Sequence, residues 1–151
     1  MITNSAEETR ALGRRLAEEL RPGDVVLLEG PLGAGKSEMA RGAARGLGVT
    51  ETVTSPSFTI LNVYESGRLP LYHFDWYRLE DEEELFELGL QEYLGGDGVA
   101  LVEWPERCPE VLPADCLRIR LRPVSDGERE ITIESLGGFR RLNLKGNGQE
   151  E

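Results

Sequence analysis

The stretch Gly30-Pro31-Leu32-Gly33-Ala34-Gly35-Lys36-Ser37 has the residue types and spacing of a phosphate-binding loop, G-x-x-x-x-G-K-[S/T]. Its glycines let the backbone turn without side-chain clashes, so successive N–H groups can face phosphate oxygens. A helix starting near Lys36 adds the positive end of its dipole and the N–H of Glu38. Lys36 supplies a mobile charge for terminal phosphates, and the Ser37 hydroxyl suits Mg²⁺. The alternative is a glycine-rich turn with an exposed lysine. Context argues against it: an apolar run at 25–28 precedes the loop and a helical pattern at 37–47 follows, the strand–loop–helix setting such a loop requires.

Splitting a nucleotide also requires an acid for the metal, at a strand end beside the loop, and often a group that orients water. Asp75 and Glu103 both end strand-like runs. Glu103 closes Val99-Ala100-Leu101-Val102, the more continuous apolar run and the mark of a strand buried on both faces. Pattern alone therefore assigns Glu103 to Mg²⁺ and Asp75 to the inner or outer metal shell or to the attacking water, with the swapped roles still open. His73, the one histidine, lies two residues before Asp75 and so on the same strand face. It is either a base or a polar side chain holding local structure. Trp104 follows Glu103 and is expected on the opposite strand face, either in the core or near the nucleotide.

The elements that must position these residues are legible in order. Ser5 and Glu8 form a capping box, and Leu12, Leu16 and Leu20 give the following helix one apolar stripe to about residue 20. The helix after the loop packs Met39, Ala40, Ala43, Ala44 and Leu47. Residues 50–57 form a polar loop, and Thr54, Ser55, Ser57 and Thr59 surround Pro56. Such a hydroxyl-rich segment is either a γ-phosphate-sensing switch or a plain connector. Residues 58–64 and 69–75 read as a hairpin. Residues 79–88 read as an acidic helix with Leu85, Phe86 and Leu88 inward and a solvated outer face. Leu117, Ile119 and Leu121 alternate with Arg118, Arg120 and Arg122 in a strand that turns at Asp126-Gly127 into a partner. Pairing with Glu130 and Glu134 explains the arginines better than phosphate or RNA binding. Residues 1–135 are expected to form one domain. Residues 136–151 form a short C-terminal extension with a possible strand to residue 145 and a frayed end at 146–151.

The chain has 151 residues, enough for one domain with a real core. With 28 acidic and 17 basic residues its net charge is −11, which argues against autonomous nucleic-acid binding. No apolar run reaches membrane-spanning length, no signal-peptide pattern is present, and Cys108 and Cys116 lack metal-site spacing. These features fit a cytoplasmic protein with free thiols. No Asn-Lys-x-Asp tetrad occurs, which argues against a conventional GTPase. A small-molecule or nucleotide kinase remains an alternative, although no basic lid insertion is visible. A regulatory nucleotide switch and a non-catalytic interaction module are further classes; the module predicts that Lys36→Ala leaves function intact.

Four ordered stretches carry a resemblance: Gly33-Ala34-Gly35-Lys36-Ser37, Thr54-Ser55-Pro56-Ser57-Phe58-Thr59, His73-Phe74-Asp75-Trp76-Tyr77-Arg78-Leu79 and Val102-Glu103-Trp104-Pro105-Glu106. Together, over about residues 5–110, they resemble the TsaE (YjeE) family of tRNA threonylcarbamoyladenosine biosynthesis ATPases. The resemblance implies a P-loop α/β fold, with central parallel strands flanked by antiparallel ones and helices on both faces. It implies Mg²⁺-dependent ATP binding and slow hydrolysis in support of the TsaD–TsaB complex that modifies adenosine 37 of ANN-decoding tRNAs, with tRNA met only through that complex. By motif, Lys36 contacts phosphates, Ser37 and Glu103 bind Mg²⁺, Asp75 supports hydrolysis, residues 54–59 match the switch-like loop, and Trp104 matches a functional tryptophan. By position, Ala6 borders the base. Three positions depart from the pattern: Pro31 replaces an acidic residue, Trp76 an aliphatic one, and Glu38 a second threonine near the expected α-phosphate. A carboxylate at Glu38 repels phosphate unless it turns outward.

Overall fold

A computed structural model describes residues 1–144. Within it, β1 (Ile2–Thr3), α1 (Ala6–Glu18), β2 (Val25–Glu29), α2 (Lys36–Gly46), β3 (Leu61–Tyr64), β4 (Leu71–Asp75), α3 (Glu82–Glu87), β5 (Val99–Glu103), β6 (Cys116–Ser125) and β7 (Glu128–Leu136) follow in order. One seven-stranded sheet runs β1-β7-β6-β2-β5-β4-β3. Its central pairs, β6 with β2, β2 with β5 and β5 with β4, are parallel, and the β3–β4, β6–β7 and β1–β7 pairs are antiparallel. This is the expected P-loop-like α/β layout. The two innermost strands, β2 and β5, are buried along nearly their whole length, which accounts for their unbroken apolar runs.

Alternate residues of these strands feed two cores. Val26, Leu28, Leu71, Leu101 and Ile119 pack under α1 and α2, whereas Leu27, Phe74, Val102 and Trp76 pack on the face that holds Leu85 of α3. Helices thus cover both faces. Leu12, Leu16 and Leu20 are fully or nearly fully buried, as their four-residue spacing requires. The helices α1 and α2 approach so closely that a Cβ on Gly42 would land on the Arg10 carbonyl oxygen. That backbone proximity sets the seat of α2, and with it the phosphate loop at its start.

Several local readings need correction. Residues 58–60 are not strand: the Pro56 carbonyl accepts from the Thr59 N–H at 3.2 Å and the Ile60 N–H at 2.8 Å, folding them into a turn. The acidic helix is shorter than expected and starts after the Asp81 cap, whose carboxylate accepts from Glu84 N–H. A helix that short has one buried position: Leu85 is inside, but Phe86 and Leu88 are 48% and 55% exposed. In the capping box, Ser5 Oγ accepts from Glu8 N–H, while Glu8 takes the N–H of Asn4 rather than that of Ser5. After β7, residues 137–144 carry no strand. They fold back, with Arg140 donating to both carboxylate oxygens of Asp24 and Leu144 buried in the helix-side core. Residue 145 and the expected frayed end, 146–151, lie outside the described residues. No helix among the described residues is long and apolar enough to cross a membrane.

Candidate nucleotide-binding site

The parallel strands β2, β5 and β4 end side by side. Register pairs Leu28 with Glu103 and Glu103 with Asp75, so both candidate acids stand at neighbouring strand ends beside the turn into the phosphate loop. Carboxyl ends of parallel strands are where open α/β sheets bind ligands. His73, Asp75, Leu101 and Glu103 alternate onto the same face, under α2, as the two-residue spacing required. The loop has the left-handed glycines it needs, with φ of 78° at Gly33 and 104° at Gly35. At Gly30 the β6 backbone passes so close that a Cβ would stand 2.5 Å from Leu121 O.

Around this corner lies a cleft of about 340 Å³ lined by Ala6, Leu32, Gly33, Gly35, Lys36, Ser37, Glu38, Ser55, Ser57, Asp75, Glu103, Trp104 and Arg129. Lys36 is only 5% exposed. Its ammonium donates to Gly30 O at 2.6 Å and sits 3.7 Å from the centre of the Trp104 ring. Burial pulls the Lys36 pKa below its ordinary 10.5, partly opposed by the negative charges of Glu103, Asp75 and Glu106. The cation is therefore under-solvated.

Each acid is held by a partner. Asp75 accepts from the Tyr77 N–H at 2.9 Å and from the Ser57 hydroxyl at 3.2 Å. Glu103 Oε2 lies 2.7 Å from His73 Nε2, and both side chains are buried. His73 is thus in contact with Glu103 inside the sheet. Among the described residues no three His, Cys, Asp or Glu side chains converge into a ready-made cage. The donor set here, the Ser37 hydroxyl with one or two carboxylates, suits Mg²⁺, which keeps waters and takes phosphate oxygens as ligands.

The polar loop divides. Ser55 and Ser57 line the cleft, their hydroxyls 2.7 Å apart, so they connect the loop to Asp75. Thr54 instead borders a small crevice with Ser37, Ser55 and His73, and its backbone bonds the Tyr64 hydroxyl. Thr59 turns away to Asn62 Oδ1 at 2.7 Å. Ile60 ends the loop at φ 70°, a rare conformation for a β-branched residue. Trp104 packs partly against the core on the sheet face opposite Glu103, as its position one residue after Glu103 predicts. It has left the strand with φ 59° and ψ 49°, and this left-handed turn brings its ring over Lys36 and 4.8 Å from Tyr77.

Glu38 lines the cleft but is neutralised: its carboxylate bonds Arg10 at 2.7 Å and Arg41 at 3.2 Å. The fully buried Trp76 packs edge-on to Phe74 at 5.7 Å, a core position in which aromatic for aliphatic is a packing change. Sequence reasoning missed Arg129, whose guanidinium donates to Ala34 O and Gly33 O from β7. Nothing in the local pattern of β7 distinguishes it from the other charged residues there.

Comparison with known proteins bears on the same residues. A family profile described as threonylcarbamoyl adenosine biosynthesis protein TsaE matches residues 3–131. The tRNA threonylcarbamoyladenosine biosynthesis protein TsaE of Bacillus subtilis is 50% identical over 135 residues, 89% of this chain and 84% of the relative. The protein of that name from Treponema pallidum is 46% identical over 132 residues, 87% of this chain and 97% of the relative. The crystal structure of B. subtilis YdiB superposes with a TM-score of 0.79 at 45% identity, covering 91% of this chain and 84% of that one. Matched along most of its length in sequence and in fold, with the phosphate loop and both strand-end acids inside the matched region, the chain belongs to the TsaE family.

Proposed function

We propose that this chain is a Mg²⁺-dependent ATPase that serves formation of the threonylcarbamoyl group on adenosine 37 of tRNAs reading ANN codons, acting with TsaD and TsaB. The observation that carries the ATPase reading is the convergence of Lys36, Ser37, Asp75 and Glu103 on one cleft at the start of α2. The names of its relatives supply the tRNA pathway. The net charge of −11 suits a protein that meets tRNA through others.

In this reading the amides at the start of α2, including those of Ser37 and Glu38, bind phosphate oxygens, because a helix leaves its first N–H groups without intrahelical partners. Lys36 leaves the Gly30 carbonyl for the terminal phosphates. Ser37 and Glu103 would hold Mg²⁺, which would supply positive charge against the phosphates. His73 keeps the Glu103 carboxylate aimed at that position. Asp75, fixed by Ser57 and the Tyr77 amide, orients the attacking water and accepts its proton. Ala6 borders the base, and the Arg10 and Arg41 pairs keep the Glu38 charge from opposing the nucleotide. The work is done inside the cell on this reading, alongside tRNA.

The test is threonylcarbamoyl transfer to tRNA in a reconstituted mixture holding TsaD, TsaB and the enzyme that makes the threonylcarbamoyl-adenylate donor. Multiple-turnover modification is expected to require this chain and ATP, and to fail with Lys36→Ala or Glu103→Ala. Equal modification without the chain would sink the tRNA role and bring the kinase alternative forward.

A further inference from the structure

Arg129 stands 95 residues beyond the phosphate loop in sequence, yet four of its N–H donors end on backbone carbonyls that join the two regions. Nε donates to Ala34 O at 3.0 Å and Nη2 to Gly33 O at 3.1 Å. Nη1 donates to Ser125 O at 3.3 Å and Glu128 O at 3.0 Å, seating the guanidinium on the β6–β7 turn. The side chain also lines the cleft. Among the described residues it makes no ion pair, unlike Arg118, Arg120 and Arg122, so its charge is not cancelled by a carboxylate.

The geometry of a trans peptide gives these bonds a consequence. The C=O and N–H of one peptide unit point in opposite directions, so a carbonyl held toward Arg129 turns the next residue's N–H away from it. Holding Gly33 O fixes the Ala34 N–H, which closes the turn onto Pro31 O at 3.1 Å. Holding Ala34 O fixes the Gly35 N–H on the opposite side. Gly33 and Gly35 sit at φ 78° and 104°, where glycine turns at little energetic cost, and the Pro31 bond fixes only the Gly33–Ala34 peptide, so the Ala34–Gly35 peptide needs a hold from outside the loop. A rigid planar fork with several donors supplies it.

We propose that Arg129 is a positioning residue that pins the crest of the phosphate loop to the β6–β7 hairpin, holds the Gly35 amide in its phosphate-facing orientation and adds positive potential to the cleft. The inference rests on the nucleotide-binding reading of that cleft. Lysine cannot replace the arginine, because an ammonium lacks the planar fork that reaches Gly33 O and Ala34 O together while staying on the hairpin.

The experiment measures Mg·ADP affinity by calorimetry and amide hydrogen exchange of residues 33–37 in the nucleotide-free protein. Wild type, Arg129→Gln, Arg129→Lys and, as a site control, Lys36→Ala are compared. The Gln variant is expected to bind ADP roughly tenfold more weakly, about 1.4 kcal/mol, and to exchange faster at 33–37 with its other amides unchanged. The Lys variant should recover the affinity only in part, through charge, and leave the exchange fast. Unchanged affinity and exchange would overturn the proposal. Weaker binding with unchanged exchange would also overturn it, since Arg129 would then touch the nucleotide rather than shape the loop. If the Gln variant does not fold, the Lys variant carries the comparison. If wild type itself binds no ADP, the nucleotide reading fails, while the exchange data still decide whether Arg129 orders the loop.

Discussion

Two regions of the sheet carry rows of charge and treat it in opposite ways. On the open face of β6 and β7, Arg118 pairs with Glu29 and Glu134, Arg120 with Glu29, and Arg122 with Glu130, at 2.6–3.3 Å and mostly in contact with solvent. At the strand ends by α2, Lys36, Asp75 and Glu103 are each 5–6% exposed, and Lys36 rests on a carbonyl and a tryptophan ring instead of on a carboxylate. Partly or fully exposed charges paired with opposite charges add little energy and ask for no ligand. Buried charges with incomplete partners are costly to keep, and the cost is returned when a ligand of the complementary charge arrives.

That contrast can be broken from its strongest point downward. Lys36→Ala should lower ATP turnover about 1,000-fold, about 4 kcal/mol, read as kcat/KM with TsaD and TsaB present. Survival of most of the activity would mean that the buried charge has no catalytic purpose. Next, His73→Ala should destabilise the fold by about 3 kcal/mol in urea unfolding, because Glu103 would be left buried without its 2.7 Å partner. A smaller effect follows from the depressed Lys36 pKa. Phosphate binding needs the ammonium, so ADP affinity should fall as pH rises through a value below the ordinary 10.5 of lysine. Titration calorimetry with Lys36→Arg, which keeps its charge throughout, should show a flatter profile. At the bottom, Arg122→Ala should change stability by less than about 0.5 kcal/mol, although it breaks a 2.6 Å ion pair. A loss as large as that of His73→Ala would erase the distinction between the two regions.

The same contrast explains what the chain made legible. Buried parallel strands have to be apolar without interruption, so a carboxylate at the end of such a run, as at Glu103, is conspicuous. The cross-strand pairing of the arginines was readable because opposite charges recur at matched spacing on two strands joined by one turn. Glu29, their further partner, was not, since it arrives from β2 by a parallel pairing that no local spacing reveals. Arg129 was hidden for the same reason, its partners lying on a loop near the other end of the sequence. The place of Trp104 was left open between core and cleft, and it takes part in both: it packs partly against the core on the face opposite Glu103, while the left-handed turn at that residue brings its ring over Lys36. Residues 58–60 look like strand by side-chain type, but the carbonyl of Pro56 takes the N–H groups of Thr59 and Ile60 and folds the segment into a turn.

Burial separates the two thiols from this chemistry as well. Burial, reinforced by nearby carboxylates, pushes the Cys108 thiol up to about 11, which leaves little reactive thiolate at neutral pH.

The most direct measurement of the central claim is ATP turnover by the chain in the presence of TsaD and TsaB, with Glu103→Ala and Arg120→Ala compared side by side. The two substitutions remove charges, opposite in sign, from β5 and β6, the two strands that flank β2 in the sheet, and the sites differ in burial and partners. The account predicts that Glu103→Ala loses nearly all turnover while Arg120→Ala keeps the wild-type rate. Equal rates for the two variants would contradict it.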